Sequence, residues 1–220
     1  MAMSEQDLRR ALVDTARRMN AAGINQGTSG NLSVRLAGGL LITPSGMAYD
    51  HMEPGDVVAI GFDGRSLGGS PDGGSPSSEW RLHADLLRCR PEVSAVVHCH
   101  SVHATALACH GRAIPPFHYM VVMAGGADVR CAPYATFGSQ ELSDRALEAL
   151  VDRKACLLAQ HGQVALGKSL AEALRLAVEV ETLSRMYLQA LQLGEPSHLS
   201  AAEMARVTAK MEALHYGQSC

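Results

Sequence analysis

The sequence contains no basic cluster, no long apolar run and no closely paired cysteines, and each absence removes a class of function. Lysine and arginine total 19 of 220 residues against 22 acidic ones, a formal charge of −3. Without a Lys/Arg stripe, nucleic acid and anionic membrane are not expected as main partners. No uninterrupted apolar stretch approaches the ~20 residues of a membrane-spanning helix. The start, Met1-Ala2-Met3-Ser4-Glu5-Gln6-Asp7, has no cationic segment followed by an apolar one, so a cytoplasmic protein is expected. Cys89, Cys99, Cys109, Cys131, Cys156 and Cys220 form no CxxC pair and mostly sit in apolar segments. Reduced, buried thiols are therefore expected, not a disulfide framework or thiolate zinc.

What is present suits one globular domain over residues 1–220, long enough for a sizeable core. Ser4 and Asp7 open a helix with Leu8, Leu12, Ala16 and Met19 on one face, stopped by Gly23. Leu32–Leu36, Leu40–Thr43 and Val57–Phe62 read as strands, the last ending in the turn signal Asp63-Gly64. Gly64–Pro76 is rich in Gly, Ser and Pro and is expected to be a mobile loop. Pro76-Ser77-Ser78-Glu79 starts a helix carrying Leu82, Leu86 and Leu87. Further helices are expected from Ser139 to about Val151, after the capping box Ser169/Glu172, and after Ser200/Glu203, with a short buried strand at Ala155–Ala159. Short strands mixed with helices predict a layered α/β or α+β domain.

The most informative stretch is Val96-Val97-His98-Cys99-His100, at the end of a strand read over Glu92–Val97 and before a helix start at Ser101. Residues i and i+2 of a strand point the same way, so His98 and His100 present two imidazoles together, with Cys99 turned away. Such a pair suits a divalent metal ion, and a catalytic site needs a third protein ligand. His103, His110, His118 and His161 are all candidates. His161 also ends a buried strand and precedes a glycine, which lets backbone approach closely. Glu79 lies at a helix start, where a carboxylate also has a favourable interaction with the helix dipole.

Three loops of small polar residues offer donors to an anion: Gly27-Thr28-Ser29-Gly30-Asn31, Pro44-Ser45-Gly46, and Ser77-Ser78 with the free amides of a helix N-terminus. With no P-loop lysine beside them, they suggest a phosphate held by neutral donors. Tyr119 (after His118), Tyr134 and Tyr216 are also present, and a tyrosine near a metal can be a proton donor.

Taken in order along the chain, these stretches resemble the class II aldolase/adducin family. They are Asn25–Ser33, Leu41–Gly46, Pro76–Arg81, Ala95–His100, Ile114-Pro115 with His118-Tyr119-Met120, Cys131–Gly138 and Gln160-His161-Gly162. The resemblance is greatest to the branch that cleaves ketose 1-phosphates such as L-fuculose 1-phosphate. It implies an α/β three-layer sandwich with a central, mainly antiparallel sheet flanked by helices. It also implies a Zn2+ ion, or another divalent metal, held by Glu79, His98, His100 and His161, with Glu79 doubling as acid/base. Thr28, Gly30, Asn31, Ser45, Gly46, Ser77 and Ser78 are then the substrate and phosphate residues. Tyr119 would protonate the aldehyde oxygen from a neighbouring subunit, and Tyr216 would help orient the substrate. The implied activity is reversible cleavage of a ketose 1-phosphate, L-fuculose 1-phosphate or a 5-deoxy analogue, to dihydroxyacetone phosphate and a small aldehyde through a metal-stabilised enediolate. A cytoplasmic homotetramer with interfacial active sites is implied as well. Relatives of the same fold act as sugar-phosphate 4-epimerases, dehydratases or decarboxylases, and adducin heads are interaction modules without the full zinc set. Gln163 departs from the family pattern, which has an apolar residue after His-Gly.

Overall fold

A computed structural model describes residues 3–68, 74–214 and 216. Its centre is a seven-stranded sheet built from β1 (Asn31–Leu36), β2 (Gly39–Ile42), β3 (Val58–Gly61), β4 (Ala95–Cys99), β5 (Arg130–Ala132), β6 (Ala155–Leu158) and β7 (Gly162–Gly167). The spatial order is β3-β2-β1-β4-β7-β6-β5. Every neighbouring pair is antiparallel except β5 with β6.

The sheet is buried on both faces because its strands are apolar on both, so helices cover each side. One core joins Leu32, Val34, Leu41, Val97, Cys99 and Ala165 to α1 (Glu5–Ala21), α3 (Val102–Cys109) and α5 (Leu170–Leu191). The other joins Leu40, Ile42, Val58, Val96 and Val164 to α2 (Trp80–Cys89) and α4 (Gln140–Ala149). The alternation of Val96 and Val97 between the two cores is the period-2 geometry of a strand. It places His98 on the α2/α4 side and Cys99 on the other. The three-layer, mainly antiparallel architecture is therefore the observed fold.

Local chemistry fixes where the helices begin. Ser4, Ser139, Ser169 and Ser200 each accept a hydrogen bond from the backbone N–H three residues on, the last opening α6 (Ala201–Ala213). Ser101 does not cap α3 with its hydroxyl. Glu181 of α5 does so instead, accepting from the His103 and Ala104 amides.

Several expectations need correction. The strand expected over Glu92–Val97 runs Ala95–Cys99, which puts His98 inside it. β5, β7 and a 3-10 helix at Tyr119–Ala124 were not anticipated. Cys89 and Cys109 are exposed rather than buried, being the last residues of α2 and α3. Burial pushes the thiols of Cys99 and Cys131 up, to about 12 and about 11. The Gly64–Pro76 loop is tied at both ends, by Leu67 N–H to the Ala59 carbonyl and by a bridge between Pro44 and Pro76. Its centre, 69–73, lies outside the described residues. No described helix is long and apolar enough to cross a membrane.

Candidate metal centre

Cross-strand register assembles the site. Asn31 of β1 sits opposite His98 of β4, and His98 sits opposite Val164 of β7. His100 follows one residue past the strand. His161 comes from the turn between β6 and β7, where Gln160 takes a positive φ of 55°. That turn lies close against His100. A Cβ on Gly162 would stand 2.5 Å from the Cys99 carbonyl oxygen and 2.8 Å from His100 Cδ2, so only glycine fits. Glu79 arrives from the opposite layer as the residue just before α2. It caps nothing with its side chain, and its carboxylate is turned into the histidines. A helix-dipole role is thereby secondary to this contact.

The four ligand atoms lie within 4.8 Å of one another. His98 Nε2 is 3.1 Å from His100 Nε2 and 3.2 Å from Glu79 Oε2, and His161 Nε2 is 3.4 Å from Glu79 Oε1. The three rings meet edge to face at 4.8–5.0 Å. His98 Nδ1 is 2.9 Å from the Gln163 carbonyl oxygen. Donation from Nδ1–H to that carbonyl leaves the Nε2 lone pair facing inward, as metal-ligating histidines are usually held.

The arrangement fits a divalent cation. Two imidazole Nε2 atoms face each other across 3.1 Å, where at most one proton can lie between them. Glu79 Oε1 is buried without a hydrogen-bond partner. Three nitrogens and a carboxylate form a donor set suited to zinc and its neighbours. Protonation follows the same logic. Burial pushes Glu79 up, but the charges of His98 and His161, with hydrogen bonds from His98 and Asn31, outweigh it and hold the carboxyl well below the usual range. Burial lowers His98, yet Glu79 beside it leaves the net shift upward. Burial and the His98 charge bring His100 and His161 down to about 4.

His161 joins the cluster, and the other three candidate ligands do not. His103 Nδ1 pairs with Glu181 at 2.7 Å, His110 is exposed, and His118 accepts from the Met120 amide at the start of the 3-10 helix.

Two of the three anion loops are stitched together beside Glu79. Ser45 N–H donates to the Ser75 carbonyl and Ser77 N–H to the Thr43 carbonyl. The Ser77 hydroxyl accepts from Glu79 N–H. These amides, expected to be free for an anion, are engaged within the protein, which leaves the exposed Ser45 and Ser78 as the accessible serines there. Gly46 holds a φ of +70° at the turn. In the first loop, Thr28 is exposed and Gly30 is pressed between Asn25 and the His98 carbonyl. Asn31 is buried, and its Nδ2 donates to Glu79 Oε2 at 3.0 Å, a role not anticipated for it. Gly138 lies against the Ser78 carbonyl, bringing a loop with exposed Tyr134 and Phe137 alongside.

Tyr119 and Tyr216 make their contacts elsewhere. Tyr119 stacks on His118 in the 3-10 helix, and Tyr216 lines a cavity of about 630 Å3 with Met120, Met211 and Glu212. Gln163, the departure from the family pattern, is buried and donates to Ser101 Oγ at 2.6 Å and to the Ala177 carbonyl.

A family model described as the Class II Aldolase and Adducin N-terminal domain matches residues 10–188. The chain belongs to this family. It is 53% identical over 205 residues to a 5-methylthioribulose-1-phosphate/5-deoxyribulose-1-phosphate aldolase of Rhodospirillum rubrum, covering 93% of this chain and 91% of that one. It is 44% identical over 211 residues to the L-fuculose phosphate aldolase of Escherichia coli K12, covering 96% of each. A solved L-fuculose 1-phosphate aldolase superposes with a TM-score of 0.90 at 36% identity, covering 96% of this chain and 98% of that one. The protein is thus a class II aldolase, a metal-dependent aldehyde-lyase, and its cluster is where a divalent metal can bind.

Proposed function

We propose that the protein reversibly cleaves a ketose 1-phosphate, L-fuculose 1-phosphate or a close 5-deoxy analogue, to dihydroxyacetone phosphate and a small aldehyde of the lactaldehyde type. The observation that carries this reading is Glu79, whose carboxylate reaches three histidines while its own amide is held by a serine of the adjoining polar loops. His98, His100, His161 and Glu79 would hold the ion, with zinc as the first candidate among divalent metals. When bound, the ion supplies Lewis-acid stabilisation of the negative charge that the breaking C–C bond leaves on the ketose fragment. Ser45, Gly46 and Ser78, with Thr28 on the other side, would seat the phosphate and the first carbons, with Ser77, Gly30 and Asn31 shaping the wall behind them. Glu79, once it has taken up a proton, would deliver it from Oε1, which is free of other hydrogen bonds, to the carbon next to the carbonyl. The β-hydroxyl would give its proton to the Tyr119 oxygen as that hydroxyl passes its own proton to solvent, and solvent would supply the proton that Glu79 delivers.

In this reading the chain is one domain, supported by a single sheet with a core on each face. It acts in the cytoplasm as a homotetramer whose sites lie between subunits. The support is that Tyr119 and Tyr216 are about half exposed and make their own contacts away from the cluster. A zinc-loaded sample offered L-fuculose, 5-deoxyribulose and 5-methylthioribulose 1-phosphates in turn tests the proposal. Release of dihydroxyacetone phosphate from at least one is expected. An epimer or a dehydrated product with no dihydroxyacetone phosphate would overturn it.

A further inference from the structure

His83 is fully buried on the face of α2 that otherwise presents Leu82, Leu86 and Leu87 to the core. Its Nδ1 is 2.7 Å from Ser33 Oγ, and its Nε2 is 2.5 Å from Asn31 Oδ1. Asn31 Nδ2 in turn donates to Glu79 Oε2. The directions of these bonds follow from chemistry. An ionised carboxylate only accepts, so the Asn31 atom facing Glu79 must be the NH2 group. The Asn31 oxygen then faces His83, which must donate from Nε2. With its proton on Nε2, the ring accepts at Nδ1, and the Ser33 hydroxyl supplies that bond. The result is a one-way relay: Ser33 O–H to His83, His83 N–H to Asn31, Asn31 N–H to Glu79.

Each link fixes the next. Without the His83 donor the Asn31 amide could turn over, and its oxygen would then meet the Glu79 carboxylate in a repulsive contact. An apolar residue would suit this face of α2, but it would leave Asn31 Oδ1 and Ser33 Oγ buried without partners. Burial and the nearby His98 charge bring His83 down to about 3, which keeps the ring neutral and the relay single-valued.

We propose that His83 is a positioning residue for the aldol cleavage: as an Nε2–H tautomer bonded to the Asn31 oxygen and seated by Ser33, it fixes the Asn31 amide and so aims Glu79 at the metal and the substrate. This rests on the reading of Glu79 as ligand and acid/base.

The experiment compares wild type, His83→Gln and His83→Met as metal-loaded holoenzymes. Glutamine can place an N–H where Nε2 stood, whereas methionine cannot. His83→Met should lower kcat and weaken zinc binding, read by chelator competition, by ~10- to 100-fold each, as lost outer-shell partners do. KM should stay within about threefold, and His83→Gln should recover kcat to within about threefold of wild type, smaller changes than loss of a metal-site partner brings. Imidazole 15N shifts of the wild type should show His83 protonated at Nε2 only. Overturning results are a folded His83→Met with kcat and zinc affinity within twofold of wild type, equal damage in both variants, or an Nδ1–H ring. Should His83→Met fail to fold, Ser33→Ala replaces it. That variant keeps His83 and its Asn31 partner but leaves Nδ1 without a donor, so the ring is held from one side only and a lower kcat and weaker zinc binding are expected, and kcat and zinc affinity both unchanged overturn the proposal. A wild type that binds zinc but cleaves no ketose 1-phosphate overturns the functional reading instead, and the zinc-affinity and 15N results still decide on His83.

Discussion

At the cluster, Glu79 and His98 are 4% and 0% exposed, and each is held by named partners, Asn31 and Ser77 for Glu79 and the Gln163 carbonyl for His98. At the helical face, Tyr119 and Tyr216 are 47% and 52% exposed, and Tyr216 is joined to the chain by a bond from its amide to the Met211 carbonyl. The difference has a physical origin. A buried carboxylate among imidazoles needs fixed counterparts, and Asn31 and the Gln163 carbonyl of the same chain supply them, with Glu79 Oε1 left for an ion. An exposed phenol carries no such requirement, and it becomes a selective proton donor only when something dries and orients it. The metal half of the machinery is therefore finished within one subunit. In the proposed reading, the tyrosine half is completed by another copy.

The comparison breaks most sharply at Glu79. Glu79→Gln keeps the shape and removes the charge, so turnover should fall by ~10³-fold in a dihydroxyacetone phosphate assay. The melting temperature should change by no more than a few degrees, equivalent to ~1 kcal/mol. A loss of less than tenfold would remove the acid/base role. At the tyrosine end, Tyr119→Phe should lower turnover by ~100-fold with zinc affinity unchanged. Mixing Tyr119→Phe chains with Glu79→Gln chains and allowing subunit exchange should restore activity above either parent, because some hybrid sites then carry both groups. Absence of any recovery would place Tyr119 outside a neighbour's site.

A smaller effect is expected from Gly162→Ala, which touches only the cluster. The added methyl has no room beside the Cys99 carbonyl and His100, so unfolding should cost ~1–3 kcal/mol less than in wild type. Unchanged stability by denaturant titration would show that the His161 turn is looser than described. The mildest probe is pH. His83 is brought to about 3 in the fold from 6.5 in the unfolded chain, so the unfolded chain binds the extra proton between these values. Its contribution to stability is complete above about pH 6.5 and is lost as pH falls towards 3, at up to ~1.4 kcal/mol per pH unit. Metal-free His83→Gln should show a flatter stability curve over that range, and parallel curves would contradict the buried neutral ring.

Much of this was legible in the residues, for identifiable reasons. Serine caps and apolar periodicity marked α1, α5 and α6, because those signals are local. The i, i+2 spacing marked His98 and His100, because strand geometry is also local. The third ligand stayed open among four histidines until the family resemblance singled out His161. His161 reaches the site only because β7 pairs with β4, and the Gly162–Gly167 strand had not been recognised. β5 has three residues, too few for a periodic signal. Position alone put Glu79 at a helix start but could not say which way its carboxylate turned. His83 was hidden as one more residue on an apolar helix face. Its meaning depends on Asn31 and Ser33, some fifty residues earlier and adjacent only after β1 is laid against α2.

The central claim is that Glu79, His98, His100 and His161 form one divalent-metal site on which cleavage depends. Its most direct test is zinc titration of chelator-stripped wild type and His161→Ala, followed by calorimetry and paired with the cleavage assay. One ion per wild-type chain is expected, with activity returning in step with binding and affinity weakened by about 100-fold or more in His161→Ala. Equal zinc affinity in the two proteins, or full cleavage by the stripped wild type, would contradict it.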